Sequence, residues 1–128
     1  MKANELMIGD WVLFSGEPKR VRSIVVSDDN RVERIYVFEN TCQVSTIEAY
    51  IQPIPLTPEI LEKNGFFRLG KQYNTWCMRG FNFSLDFIDG VFGYYEQGKP
   101  HNPTFVTKYV HELQHALKLC GIDKNIEL

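Results

Sequence analysis

The chain has 128 residues, a net charge of −2, and 44% apolar against 23% charged side chains, which is the profile of an ordinary globular protein of one domain's size. A disordered, collagenous or membrane-spanning chain is excluded, because no run approaches the roughly 18 apolar residues that a bilayer requires. Charge is spread evenly, 6 basic and 8 acidic residues in 1–56 and 8 of each in 57–128, so neither half carries the basic excess of a nucleic-acid arm.

Met1-Lys2-Ala3-Asn4-Glu5-Leu6 has no apolar run behind it, which predicts a chain without a secretory signal and a cytoplasmic location. Leu6 to Phe14 then places a Gly9-Asp10 turn ahead of a β-rich run, broken at Ser15-Gly16-Glu17-Pro18. Arg20 to Ser27 reads as a second strand, Val32 to Phe38 as a third across the Asp28-Asp29-Asn30 turn, and Val44 to Ile51 as a fourth. Short strands at this spacing predict a small SH3-like barrel or bent sheet over residues 1–56.

Pro53 and Pro55 forbid central strand pairing, so Ile51 to Leu56 is expected as a connector or sheet edge. A short helix follows with full punctuation: Thr57 as N-cap, Pro58 at the first helical position, Glu59 at the positive end, and Asn64-Gly65 as a left-handed stop. Ile60 and Leu61 are its expected anchors. A second sheet is predicted next. Phe66 to Leu69 pairs with Tyr73 to Met78, and Phe81, Phe83, Leu85 and Phe87 alternate with polar residues as one buried strand face. Asp89-Gly90 is a tight hairpin turn leading into Val91 to Glu96, and Gln97-Gly98-Lys99-Pro100 closes the sheet. The last element is expected as a helix from about Pro103, capped by Asn102, to about Leu119, stopping at Gly121. The predicted class is therefore α+β, with residues 57–128 holding helix, antiparallel sheet and C-terminal helix.

Three stretches carry a family likeness: Met1-Lys2-Ala3-Asn4-Glu5-Leu6-x-Ile8-Gly9-x-Trp11-Val12, then Ile54-Pro55-Leu56-Thr57-Pro58-Glu59-Ile60-Leu61, then Tyr109-Val110-His111-x-Leu113-Gln114. Together they resemble an uncharacterised family of small proteins from anaerobic gut bacteria and their phages or mobile elements. In that pattern the last stretch continues with Asn where this chain has His115. The resemblance implies that the second histidine is a local variation, and it implies no activity, cofactor or substrate.

His111-Glu112-Leu113-Gln114-His115 spells H-E-x-x-H, the zinc-peptidase pattern in which two histidines one helical turn apart hold the metal and the glutamate is general base. A helix through the segment, at about 100° per residue, sets Val106, Tyr109, Val110, Leu113, Ala116, Leu117 and Cys120 on the buried arc and His111 and His115 on the opposite face. Lys108 and Lys118 share that face and oppose a cation. A third ligand is not supplied by spacing: position 118 is Lys and 121 is Gly, leaving Asp123, Glu127 or the upstream His101. The balance favours a solvated helix face, with no catalytic, metal or cofactor residue assigned.

Cys42, Cys77 and Cys120 are odd in number and widely spaced, which excludes a disulfide framework and predicts buried free thiols. No Ser or Cys sits in a nucleophile motif. A nucleic-acid reading rests on Lys19, Arg20, Arg22, Arg31 and Arg34 on two adjacent strands, with Glu17, Asp28, Asp29 and Glu33 interleaved against it. Aromatic residues crowd the third section, and Tyr94 and Tyr95 point to opposite sides of one strand, so a ring is expected on an exposed sheet face. The expected function is non-enzymatic binding or assembly, with a protein partner first, nucleic acid second and a second copy of the chain as a further candidate; the alternative is a metal-dependent hydrolase.

Overall fold

The computed structural model describes residues 1–2, 5–39, 42–70, 74–94 and 104–128. The chain divides into two compact units, Met1–Ile54 and Pro55–Leu128, each with its own five-stranded antiparallel sheet. The class is α+β, as predicted.

In the first unit β1 (Trp11–Phe14), β2 (Glu17–Val26), β3 (Val32–Glu39), β4 (Cys42–Thr46) and β5 (Ile51–Gln52) form a curled half-barrel in the order β4-β3-β2-β1-β5. The fourth strand expected over Val44 to Ile51 is three pieces: β4, a 3₁₀ turn at Glu48–Tyr50, and β5, which returns to β1 through Phe14 opposite Ile51. Burial explains the break. Ile51 is a core residue while Glu48, Ala49 and Tyr50 are exposed, so the chain turns sharply to bring one side chain inside. Pro53 follows at once and ends the pairing, as a residue without an N–H must.

Leu6, Val12, Val21, Ile35, Val37 and Ile51 make the core of this unit. The Gly9-Asp10 turn fixes the entry to β1: Gly9 N–H donates to Val21 O at 2.7 Å, and Val21 N–H donates to Asp10 O at 2.8 Å. The buried Asp10 carboxylate accepts the Met7 N–H at 2.7 Å. Register shifts between Val21 and Ser23, and again between Val25 and Val26, bend the ten-residue β2 and let the sheet curl.

In the second unit α1 (Pro58–Lys63) precedes a meander of β6 (Phe66–Arg68), β7 (Thr75–Met78), β8 (Ser84–Ile88), β9 (Val91–Tyr94) and β10 (Phe105–Thr107), and α2 (Val110–Leu119) packs on the sheet. The start of α1 is as its sequence dictates: Thr57 Oγ1 accepts the Ile60 N–H at 3.3 Å with Pro58 in the first turn. Leu61 is fully buried and Ile60 half-buried. Asn64 then does more than stop the helix. Its side-chain amide donates to Ile60 O at 2.8 Å and to Glu127 O at 2.7 Å, and its Oδ1 accepts the Glu127 N–H at 2.7 Å. The C-terminal segment is thereby clamped beside α1, with Ile122 and Ile126 buried.

The hairpin at Asp89-Gly90 forms as expected, both residues at positive φ between the paired Ile88 and Val91. The strand before it is shorter than predicted. Phe83 and Leu85 are buried, but Phe81 lies in a bend ahead of β8 and is 46% exposed, and Phe87, at the strand's far end, is 37% exposed. Phe105 to Thr107, assigned by sequence to the last helix, is a strand: Val106 pairs with Gly93 and is exposed, while the buried Thr107 hydroxyl donates to Phe92 O at 3.1 Å. The helix begins only at Val110. The predicted cap Asn102 and start Pro103 lie outside the described residues, as do Tyr73, Tyr95, Glu96 and the Gln97 to Pro100 turn. Cysteine burial is also corrected: Cys42 and Cys120 are exposed and Cys77 half-buried, because Cys42 opens β4 beyond the core and Cys120 caps α2 past its last packed turn.

Candidate functional site

Two constellations bear on function, one in each unit. The first is H-E-x-x-H, at the first two turns of α2. Glu112 sits at the third helical position and turns back: its Oε1 accepts the backbone N–H of both Lys108 and Tyr109 at 3.1 Å. Amides at a helix start have no partner within the helix, and a carboxylate there also complements the positive end of the helix dipole. Tyr109 occupies the cap position, where a Ser or Thr would have advertised this role in the sequence.

His111 does not point to solvent as the helical projection predicts; it is 3% exposed. The projection fixes the angle between His111 and Leu113, both within α2, but not what packs on the far side. His111 lies in the first turn of a helix that starts at Val110, and the ring of Tyr109, the cap residue ahead of it, stacks on the imidazole at 5.9 Å and 9°. His115 is half-buried and meets His111 edge-on, ring centroids 5.7 Å apart. Asp123 and Glu127 are exposed, and Glu127 is engaged through its backbone by Asn64. His101 lies outside the described residues. Among the described residues no three His, Cys, Asp or Glu side chains converge as a metal site.

The second constellation is in the first unit and turns on strand parity. Register places Val12, Lys19, Val21, Ile35, Val37 and Thr46 on one side of the sheet, toward the core. Alternation puts Trp11, Arg20, Arg34, Tyr36, Phe38 and Ser45 on the other, and the irregular pairing around Arg22 leaves its side chain on that same outer side, over Phe38. Three of the four sequence-interleaved acids lie elsewhere. Glu17 and Glu39 fall on the inner parity, where both bind Lys19, at 3.3 and 3.2 Å. Asp28 and Asp29 lie in the β2–β3 turn, with Asp29 on Arg31 at 3.1 Å. Glu33 is the extra β3 residue at the second register shift, exposed between the core-packed Val32 and the outer Arg34, and alternation assigns it no side.

Two arginines of the outer face are exposed and held by neighbours. The Arg22 guanidinium lies 5.5 Å from the centroid of the Phe38 ring, which is itself 45% exposed. Arg34 donates to Ser45 Oγ at 2.8 Å. Arg20 lies 4.9 Å over Trp11 and is half-buried with it. Arg34 and Ser45 also border an open groove of about 440 Å³, lined further by Phe14, Thr46, Ile47 and Tyr50, with Tyr50 66% exposed. Of the five basic residues singled out by sequence, Arg20, Arg22 and Arg34 thus come together, whereas Lys19 and Arg31 are drawn off into ion pairs. Alternation in β3 alone signals the separation; the irregularity at Arg22 left no mark in sequence.

The outer face of the second sheet carries Phe67, Cys77, Ile88, Val91 and Val106, with Arg79 5.2 Å over Phe67. It also holds Asp86, whose carboxylate accepts the Thr75 hydroxyl at 2.6 Å. Among the described residues no helix is long and apolar enough to cross a membrane. No family model, curated protein or solved structure matches the chain.

Proposed function

We propose that this chain is a non-catalytic binding protein whose working surface is the outer face of β2, β3 and β4, an accessory module of the kind mobile elements carry. One observation carries the reading: Arg22 and Arg34 lie with the rings of Tyr36 and Phe38 on one sheet face, while Glu17 and Glu39 are turned to Lys19 on the other. Aromatic and guanidinium groups are the ones enriched where proteins recognise partners.

The metal-hydrolase alternative is less well supported. Its general base is tethered to two amides of its own helix and one of its histidines is buried. Titrating zinc into chelator-stripped protein tests it, and stoichiometric sub-micromolar binding that is lost in His115→Asn would restore the enzyme reading. The surface itself is tested by crosslinking in the native cell with wild type and the double variant Arg22→Glu/Arg34→Glu. Adducts that vanish in the variant support the reading; adducts equal in both would place the binding surface elsewhere.

A further inference from the structure

We infer that the ligand of this face is single-stranded nucleic acid, an assignment that rests on the binding reading above. Three features of the face set the chemistry. First, it presents cations: Arg22 and Arg34 are exposed, while Glu17 and Glu39 are turned to Lys19 on the other side and Asp29 binds Arg31 in the turn. A polyanion gains from such a face by releasing condensed counterions.

Second, the rings stand among the guanidiniums. Phe38 is 45% exposed with the Arg22 guanidinium over its ring, so a base would stack on the guanidinium plane or take its place on the ring, and the half-buried Tyr36 lies next along the same parity of β3. Unpaired bases stack on such rings irrespective of sequence, whereas duplex bases are already stacked and offer only phosphates. Third, the spacing suits an extended strand. Phe38 and Arg34 are four residues apart in β3, about 13 Å at the usual rise per strand residue. The row ends at the groove bordered by Arg34, Ser45 and Tyr50, whose volume of about 440 Å³ accommodates a base. An acidic peptide would satisfy the arginines and leave the rings unused.

The test is fluorescence anisotropy with the whole chain and three labelled probes: a 12-mer of deoxythymidine, a 12-mer of uridine, and a 12-base-pair duplex. Binding of a single-stranded probe is expected at low salt, with log affinity falling against log salt at a slope of about −1.4 for two phosphate contacts. Arg22→Ala and Arg34→Ala should each lower that slope by about 0.7, while Phe38→Ala should weaken binding about tenfold and leave the slope unchanged. Arg79→Ala is the control, because it removes a like guanidinium-over-phenyl pair from the other unit, and it should change nothing.

Duplex bound as tightly as single strand, or displacement of the probe by polyglutamate at equal charge, would overturn the assignment. So would binding that the three face variants leave intact. If no oligonucleotide binds yet the cellular crosslink is still lost in Arg22→Glu/Arg34→Glu, the nucleic-acid assignment falls alone. If the crosslink is also indifferent to that variant, the binding reading falls with it.

Discussion

Glu112 Oε1 accepts the backbone N–H of Tyr109, three residues earlier, at 3.1 Å, and the same oxygen accepts the Lys108 N–H. The glutamate of an apparent zinc-peptidase motif is therefore the residue that starts the helix. Glu112→Ala should destabilise the second unit by about 1–2 kcal/mol, the usual cost of a lost cap, here leaving the part-buried Tyr109 amide without its acceptor. Glu112→Gln keeps an acceptor and loses only the charge, so about 0.3–1 kcal/mol is expected. Urea unfolding of the three proteins checks this ordering, and an alanine variant as stable as wild type would remove the capping role. A general base would instead be read in activity, lost alike in both variants, since neither Ala nor Gln can take the proton.

The two histidines should prove unequal, although the motif writes them alike. His111 is buried under the Tyr109 ring, so His111→Ala should cost about 1–3 kcal/mol. His115→Asn alters a half-buried position on the more open side of the helix and should stay within about 0.5 kcal/mol. Thermal unfolding of each variant supplies the comparison. Equal losses would mean that the pair acts together, as metal ligands do.

The same pair shows where sequence was legible and where it was not. Local chemistry was readable: Thr57 with Pro58, Asn64 with Gly65, and Asp89 with Gly90 each specify backbone geometry through their own side chains or their lack of one, and each is found as read. The α+β class and the curled first sheet followed from strand spacing. The helical projection of His111 failed because an angle says nothing of what packs on that side: Tyr109, read as helical, is the cap residue before α2, and its ring stacks on the imidazole. Capping by Tyr109 and Glu112 carries no familiar letter at the cap. The arginine face was half legible. Alternation separates Arg34, Tyr36 and Phe38 from Ile35 and Val37, but Arg22 joins them through irregular strand pairing.

Asn64 joins two segments 63 residues apart through three hydrogen bonds, two of them to the backbone of Glu127. Asn64→Ala should therefore leave the part-buried N–H and C=O of Glu127 without these partners, at about 1–2 kcal/mol, and free the C-terminal segment. Hydrogen exchange reads this locally: the Glu127 amide should lose protection by at least tenfold while amides of the first unit keep theirs. Uniform loss across both units would contradict a local clamp.

The Asp89-Gly90 hairpin needs positive φ at both residues, 53° and 81°. A Cβ at Gly90 would meet no atom within 4 Å, so the cost of Gly90→Ala is backbone strain alone. About 1–2 kcal/mol is expected, the penalty of the left-handed region for an L residue. Asp89→Asn should be neutral or slightly stabilising, since Asn favours this turn more strongly. Chemical denaturation of both variants distinguishes strain from a packing defect, which would affect both.

Lys19 lies between Glu17 and Glu39 with most of its side chain covered, and the hydrogen bond to Glu39 is the main reason its pKa is raised above the ordinary 10.5, with the bond to Glu17 adding to it and partial burial opposing. A folded-state pKa above the unfolded value means that folding is favoured while the amine is protonated. The contribution is complete below about pH 10.5 and is lost as pH rises through the higher folded value. Wild type should therefore keep a constant stability margin over Lys19→Met from about pH 7 to pH 9, and the margin should shrink at about pH 11 and above. Urea midpoints across that range measure it. A margin already gone at pH 9, or one that widens with alkali, would show that the two carboxylates are not what holds Lys19 in place.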